Sequence, residues 1–266
     1  WAIKKGLIRR DSKAETVLFQ TCYVQHNEPQ IGKDTLEVLI KNNVDCACVK
    51  GLKCCGMPAW EQGDLETLRT NAKHNLDILM PFVEKGSKVL AINPTCAMMM
   101  RREYQELLEK DDRDRAKRLA EAINDPSEFL WSIRNEERFK EGTGKIKTES
   151  ISYHAPCHLR AQGIGFKGRD LIKKITGSKI KTVIECCGHD GTYAMKVESF
   201  EDSKRIGKKS FDGMKEEKSE VWVTDCPLAA LQFKQHAGVK PKHPMSVLAD
   251  AYRSNDNDVI LEIPHN

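Results

Sequence analysis

The residues of this chain with the most evident chemistry are its cysteines, which number 10 among 266 residues. Eight of them follow one pattern twice: a single cysteine, a Cys-Cys-Gly segment, and a further single cysteine. The first set is Cys22, Cys54, Cys55 and Cys96, and the second is Cys157, Cys186, Cys187 and Cys226. Four thiolates are the ligand number of 4Fe–4S and 2Fe–2S clusters and of tetrahedral zinc. The spacing therefore predicts two four-cysteine metal sites and leaves iron and zinc both open.

Short apolar runs precede the cysteines of both sets and are typical of buried β-strands. In each half, three predicted strands alternate with helical patterns, which favours parallel strands with right-handed crossovers. The predicted strands cover residues 16–20, 44–49 and 88–92, then 151–154, 182–185 and 221–224. Long helices are expected over 64–85 and 197–214. Because the carboxyl ends of parallel strands meet at one edge of a sheet, each set of thiols should converge there.

The fold class expected from this order is α/β, with two pseudo-symmetric parallel-sheet halves and cysteines at the carboxyl ends of the strands. A glycine follows each cysteine pair, and a positive φ at Gly56 and Gly188 would turn both sulfurs toward one cavity. Helix N-termini at the same edge would favour the thiolate forms. Cys46 and Cys48 have no counterpart in the second half, and they are interpreted as inert buried thiols on one face of a strand.

The predicted organisation is an N-terminal linker (1–15), a first half (16–133), a joint (134–149), a second half (150–254) and a C-terminal tail (255–266). The joint is charged and contains Gly142 and Gly144. Since the chain begins at Trp1 instead of methionine, we expect it to be part of a longer protein.

Composition excludes several classes of protein. Lys and Arg number 43 against 39 Asp and Glu, a net charge of +4 that predicts no nucleic-acid groove. The sequence shows neither a secretory leader nor an apolar run near the length of ~20 residues that a membrane span needs. Thiols in such a chain are expected to be ligands or redox groups.

The segments Cys54-Cys55-Gly56-Met57-Pro58 and Cys186-Cys187-Gly188-His189-Asp190-Gly191-Thr192 resemble the cysteine-rich CCG domains. These domains occur in the B subunit of heterodisulfide reductase, in the C subunit of anaerobic glycerol-3-phosphate dehydrogenase and in lactate-utilisation iron–sulfur proteins. The segment 153–160 and the Gly-His-Asp-Gly-Thr-Tyr run are most similar to the iron–sulfur oxidoreductases associated with rubrerythrin. The resemblance implies a cytoplasmic iron–sulfur protein of electron transport, in anaerobic redox or peroxide-defence metabolism.

The chain departs from the heterodisulfide reductase pattern at one position in each half. In that reductase, a fifth cysteine belongs to each motif, whereas here Met99 and Ala229 stand at the fifth positions. Four thiolates per site remain, so the expected cofactor is one or two iron–sulfur clusters, with 4Fe–4S favoured and zinc open for one half.

The function expected from these observations is that of an iron–sulfur electron-transfer protein or oxidoreductase. It would act on a disulfide or pass electrons to a peroxide-reducing partner, with His189 and His154 as candidate catalytic proton donors. The expected partner is a redox protein or an upstream ferredoxin-type domain. Two alternatives are a zinc-binding scaffold that docks redox partners and a cofactorless oxidoreductase that cycles a vicinal dithiol.

A glycine-rich segment, 163–168, matches the dinucleotide-binding pattern Gly-x-Gly-x-x-Gly. However, the preceding strand already ends before Cys157, six residues earlier, whereas the nucleotide motif places its first glycine in the immediate turn. We therefore interpret the segment as a loop at the entrance of the second site.

Overall fold

The computed structural model describes residues 1–9, 13–141, 148, 150–216 and 218–253. Within these residues, seven strands form two parallel sheets, a four-stranded one in the order β2-β1-β3-β4 and a three-stranded one in the order β6-β5-β7. The predicted α/β class with two parallel-sheet halves is confirmed.

The first sheet and its helices occupy the first half of the chain. The strands are β1 (Thr16–Phe19), β2 (Cys46–Cys48), β3 (Lys88–Ala91) and β4 (Ile123–Asn124). The helices are α1 (Cys22–His26), α2 (Pro29–Lys41), α3 (Met57–Glu61), α4 (Leu65–Val83), α5 (Pro94–Met98), α6 (Tyr104–Leu107), α7 (Lys110–Ala122) and α8 (Pro126–Ser132). A π-helical turn, Met99–Glu103, joins α5 to α6.

The second half repeats this order. Its strands are β5 (Ser150–His154), β6 (Lys179–Val183) and β7 (Val221–Thr224). Its helices are α9 (Cys157–Ala161), α10 (Lys167–Thr176), α11 (Phe200–Glu216), α12 (Pro227–Ala237) and α13 (Pro244–Arg253). β5 lies between β6 and β7 as β1 lies between β2 and β3, and an isolated parallel bridge from Val223 to Lys242 takes the position of β4.

The two halves are joined by a layer of four helices between the sheets. α2 packs against α13, and α10 packs against both α8 and α13. Leu39, Leu130, Leu171 and Leu248, one from each of these helices, belong to a single buried cluster that also contains side chains of both sheets. α4 and α7 cover the outer face of the first sheet, and α11 and α12 cover that of the second. The central strands β1 and β5 are thus buried on both faces, whereas β6, at the edge of the second sheet, carries exposed lysines.

The bounds of several elements differ from their predicted bounds. β2 is confined to Cys46–Cys48, so Cys54 lies well beyond its end. β6 begins at Lys179 and ends at Val183, because its pairing with β5 follows the register from Ser150–Lys179 to His154–Val183. α11 begins at Phe200, since Val197–Ser199 forms a separate 3₁₀ turn.

Helix caps account for the starts that were predicted well. Asp64 precedes α4 and its carboxylate accepts the N–H of Thr67, while Asp125 and Glu128 form a capping box at the start of α8. Proline stands in the first turn of α8 and of α13, where its missing N–H costs nothing.

The predicted linker and joint are partly packed against the first half. Ile8 forms a parallel bridge with Cys48 at the edge of β2, and Phe139 is buried in the shared cluster. Gly142, Gly144 and the predicted tail lie outside the described residues. In the part of the chain that the structure describes, none of the helices has both the length and the apolar character that crossing a bilayer requires.

Candidate metal and redox sites

The first cysteine set gathers at the carboxyl edge of the first sheet. Cys22 is the first residue of α1, Cys54 and Cys55 precede α3, and Cys96 lies in α5. The Cys22 thiol donates to the Cys54 sulfur at 3.8 Å. Cys55 interacts in turn with the sulfurs of Cys54 and Cys96. The structure therefore brings these four predicted residues together.

Two buried side chains hold the first Cys-Cys segment in place. The Asn75 amide on α4 accepts the N–H of Lys53 at 2.8 Å and donates to its carbonyl at 3.2 Å. The Tyr104 hydroxyl on α6 donates to the Cys55 carbonyl at 2.9 Å. Gly56 follows with φ +94°, in the left-handed region, as its position predicts.

The second cysteine set lines one cavity of about 350 Å³. Cys157 begins α9, Cys186 and Cys187 follow β6, and Cys226 is the N-cap residue of α12. The Cys157 and Cys186 thiols are near enough to influence one another's pKa. The Cys186 sulfur also accepts the N–H of Gly188 at 3.3 Å, and the Cys226 sulfur accepts that of Ala229 at 3.4 Å. These four predicted residues also converge.

The second Cys-Cys segment is held by its own pair of buried side chains. The Gln232 amide on α12 donates to the Cys187 carbonyl at 3.2 Å and to the Ser203 hydroxyl at 2.9 Å. That hydroxyl donates to the Gly188 carbonyl at 2.7 Å. Gly188 has φ +77°, and a Cβ atom there would lie 2.0 Å from the Ser203 carbonyl oxygen. Only glycine lets the segment pass so close to α11.

Each set favours one thiolate, but at different positions of the repeat. In the first set, hydrogen bonds from Cys22 and then Cys55 lower the pKa of Cys54 to about 3. In the second set, a hydrogen bond from Cys186 and contact with the Arg160 guanidinium lower the pKa of Cys157 to about 5. Donation to these thiolates raises the pKa of Cys22 and Cys186.

The remaining thiols of the second site are protonated because they are buried. Burial raises the pKa of Cys187 to about 12 and that of Cys226 to about 11. Pro94 and Thr95, which directly precede Cys96, line the same cavity as the second cysteine set, so the two sites adjoin one another.

The three histidines near the second site occupy different environments. His189 lines the cavity at 6% exposure, and burial lowers its pKa. His158 also lines the cavity, with Nδ1 at 2.8 Å from the Thr95 hydroxyl. His154 is fully buried and is not among the residues that line the cavity. Its ring nitrogens contact the Thr224 hydroxyl and the Glu185 carbonyl at 3.0 and 3.1 Å, and burial lowers its pKa to about 4.

Two contacts between the halves were missed by sequence reasoning. Glu61 of α3 accepts hydrogen bonds from Thr192 in the loop after the second cysteine pair. Thr95, next to Cys96, contacts His158, next to Cys157. Neither Glu61 nor Thr95 belongs to the cysteine repeat, and no periodic pattern marks them, because their partners depend on how the two halves dock.

Gly168, the last residue of the glycine-rich segment 163–168, is required by packing. A Cβ atom at Gly168 would lie 2.8 Å from an Asp225 carboxylate oxygen and 2.8 Å from Pro244. The Asp225 carboxylate also accepts a hydrogen bond from the buried Tyr153 hydroxyl. The third glycine of the apparent motif is therefore explained by the close approach of α10 to the residue before Cys226.

The positions where a fifth cysteine is missing are filled by core residues. Met99 is fully buried in the outer core of the first half, and Ala229, in the first turn of α12, is 1% exposed and lines the second cavity. Cys46 and Cys48 are free, buried thiols in the shared cluster, as interpreted from the sequence.

The cysteine sets suit a metal centre in their chemistry. Each set supplies four sulfur donors, and one of these is already favoured as a thiolate, the form that binds iron and zinc. Among the described residues, no three Cys, His, Asp or Glu side chains surround a common point as they would around one bound ion. The fit therefore rests on the donor sets and on their convergence.

The fold and the paired sites define a duplicated α/β protein with a cysteine-rich site in each half. The model of the cysteine-rich CCG domain matches residues 16–101 and 151–234, so the chain belongs to this family, with two copies of the domain.

Relatives of the chain include named proteins of two bacteria. The chain is 31% identical over 242 residues to the C subunit of the anaerobic glycerol-3-phosphate dehydrogenase of Escherichia coli K12, covering 90% of this chain and 59% of that protein. It is 28% identical over 192 residues to the lactate utilization protein A 2 of Bacillus cereus AH820, covering 70% and 76%. The chain thus spans less than two thirds of the first relative.

A comparison with solved structures finds the glutamate racemase of Francisella tularensis. The TM-score is 0.35 at 11% identity, over 92% of this chain and 81% of the racemase. A likeness of this degree has no bearing on function.

Proposed function

We propose that the chain is an iron–sulfur electron-transfer protein that works within a redox enzyme complex. Each cysteine set would hold one metal centre, with a 4Fe–4S cluster favoured, and electrons would pass between the two centres. The partner would be a redox protein or a ferredoxin-type domain, in the cytoplasm. The relatives support a complex, because the first is named as a subunit of a dehydrogenase.

The observation that carries this proposal is the convergence of eight cysteines into two adjoining sets. The Cys22–Cys54 contact at 3.8 Å, the cavity that the four cysteines of the second set line, and the position of Thr95 on the wall of that cavity support it together. Free thiols at all eight positions keep the donors available for metal. When bound, a cluster would supply one-electron steps.

The second site is proposed as the reactive one because its four cysteines line a cavity that a small molecule could enter. His189 borders this cavity and would exchange a proton with a substrate sulfur or oxygen at one of its ring nitrogens. His154 would act through the Glu185 carbonyl, which its Nε2 contacts just before Cys186. The site would act on a disulfide substrate, or it would pass electrons to a protein partner that reduces peroxide.

The test begins with the chemical content of anaerobically purified protein. We expect iron together with acid-labile sulfide, and a low-temperature paramagnetic signal that changes between oxidised and dithionite-reduced samples. Zinc without sulfide would contradict the proposal and support a docking scaffold.

Single substitutions assign the signals to the two sites. Cys187→Ser should remove the second-site signal, and Cys55→Ser should remove the first. Cys48→Ser is the matched control, because Cys48 is equally buried and lies outside both sets. A signal that is lost equally in all three variants would contradict the assignment.

The cofactorless alternative, in which Cys54-Cys55 or Cys186-Cys187 cycles as a vicinal dithiol, has one observation in its favour: the adjacent Cys54 and Cys55 thiols interact with one another. A dithiol enzyme of this kind would keep its disulfide reductase activity after complete iron removal. It would also show a reversible loss of two hydrogens by mass spectrometry. We expect neither result.

A further inference from the structure

The first half contributes a carboxylate to the loop that follows the second cysteine pair. Glu61, the last residue of α3, accepts the backbone N–H of Thr192 at 2.9 Å and its hydroxyl at 3.2 Å. The neighbouring Gln62 amide donates to the same hydroxyl at 3.3 Å. Thr192 is thus bonded to two consecutive side chains of the other half.

The backbone of the loop is shaped to admit this carboxylate. Gly191 has φ +51°, and a Cβ atom at this position would lie 1.4 Å from a Glu61 carboxylate oxygen. Glu61 therefore occupies the space that any other residue at position 191 would fill. The contact between Glu61 and the loop therefore depends on glycine at position 191, which an incidental contact between two surface groups would not.

This contact links the two Cys-Cys-Gly segments through one short helix. α3 follows directly on Cys54, Cys55 and Gly56, with Gly56 as its N-cap residue. The loop that Glu61 holds follows directly on Cys186 and Cys187, and His189 and Gly191 of this loop line the second cavity.

A second bridge joins the other cysteine-bearing segments. The Thr95 hydroxyl and His158 Nδ1 are 2.8 Å apart, and these residues adjoin Cys96 and Cys157. The Gln162 amide donates to the Pro94 carbonyl at 3.0 Å. Two segments of the first site are therefore hydrogen-bonded to two segments of the second.

We propose that Glu61 is a positioning residue for the second cysteine site and couples it to the first. Displacement of the Cys54–Cys55 segment would move α3, release Thr192 and loosen the loop that carries His189. This proposal rests on the proposed function, because it treats the second cavity as the reactive site. The hydrogen bonds between Glu61 and Thr192 do not depend on which metal the cysteines hold.

Hydrogen–deuterium exchange of the full chain, as purified without oxygen, tests the link. In Glu61→Ala we expect exchange at Thr192 and its neighbours in 188–193 to accelerate on the order of tenfold, because a charge-assisted bond is lost. Exchange at Lys53, which Asn75 holds, should stay unchanged. Glu61→Gln should restore most of the protection, since its amide oxygen also accepts a hydrogen bond. Glu66→Ala, an exposed carboxylate on α4, is the control.

A second variant changes Thr192, the partner of Glu61 in the other half. It keeps the test decisive if Glu61→Ala does not fold. Thr192→Val removes the hydroxyl bonds to Glu61 and Gln62 but keeps the backbone N–H bond to Glu61, so it should accelerate exchange in the same segment less than Glu61→Ala does. Combining the two changes should accelerate exchange by less than their separate effects together, because both remove the bond between the Thr192 hydroxyl and the Glu61 carboxylate. Unchanged exchange in 188–193, or equal acceleration in both halves, would overturn the proposal. Metal analysis of the same samples reports separately on the proposed function, since exchange is measured whether or not a cluster is present.

Discussion

The guanidinium of Arg160 lies 3.3 Å from the sulfur of Cys157, one helical turn earlier in the chain. The corresponding position in the first half, three residues after Cys22, is Gln25. Together with the Cys186 thiol, this guanidinium lowers the pKa of Cys157, whereas in the first half the Cys22 and Cys55 thiols lower the pKa of Cys54. The repeat is therefore symmetric in its sulfur atoms and asymmetric in its electrostatics.

Replacing Arg160 with Gln should make Cys157 less reactive in the reduced, metal-free protein. A thiolate with a pKa of about 5 persists at pH 6, whereas a thiol with an ordinary pKa is protonated there. Loss of the guanidinium raises the pKa, so alkylation at pH 6 should slow several-fold. The full pH profile of Cys157 alkylation, read by mass spectrometry, is the measurement. Arg205→Gln, on the exposed face of α11, serves as the control, and a profile unmoved by Arg160→Gln would refute the role of the guanidinium.

Alanine at Gly188 should destabilise the protein more than alanine at Gly56. Both glycines have positive φ, which costs an alanine about 1–2 kcal/mol. At Gly188 the new Cβ also meets a backbone oxygen at 2.0 Å, whereas at Gly56 its nearest contact is the side chain of Leu68 at 3.0 Å. We expect a loss above ~3 kcal/mol for Gly188→Ala by chemical denaturation. Gly177→Ala has positive φ and open space, and it measures backbone strain alone.

Replacing Gln232 with Met should weaken the fold and loosen the second site. The substitution preserves size but leaves the Cys187 carbonyl without its amide donor, at a cost of about 1–3 kcal/mol. The free energy of unfolding should fall by this amount, while Gln235→Met on the exposed face of the same helix should change it little. Equal effects of the two substitutions would show that the buried amide has no special role.

The glycine-rich segment should not bind a dinucleotide. Gly168→Ala should lower stability because its Cβ would collide with Asp225 and Pro244. Titration of the wild-type chain with NADH or flavin adenine dinucleotide, followed by fluorescence, should show no saturable binding. Saturable binding that Gly168→Ala abolishes would reverse this interpretation.

Much of the architecture was predictable because its signals are local. Runs of β-branched and apolar residues predicted the strands, and the helical pattern over 64–85 predicted α4. The positive φ of Gly56 and Gly188 followed from the need to turn two adjacent sulfurs to one side. The convergence of each cysteine set then followed from parallel topology alone.

What escaped prediction depends on contacts between distant parts of the chain. The early end of β6 is set by its register with β5, and Glu61 and Thr95 acquire partners only when the halves dock. His154 was expected at the site because it is close to Cys157 in sequence, yet the strand places its ring among buried residues. Proximity along the chain did not determine the direction of its side chain.

The helical layer between the sheets has a bearing on how such a protein arises. Since α2 and α8 bury their apolar faces against α10 and α13, one half alone would expose a surface that only its counterpart covers. A single-copy ancestor would need to associate as a symmetric dimer before gene fusion made the pairing permanent. After fusion, one half could lose the reactivity of its cysteine site and still be retained, because its helices cover the apolar faces of the other half.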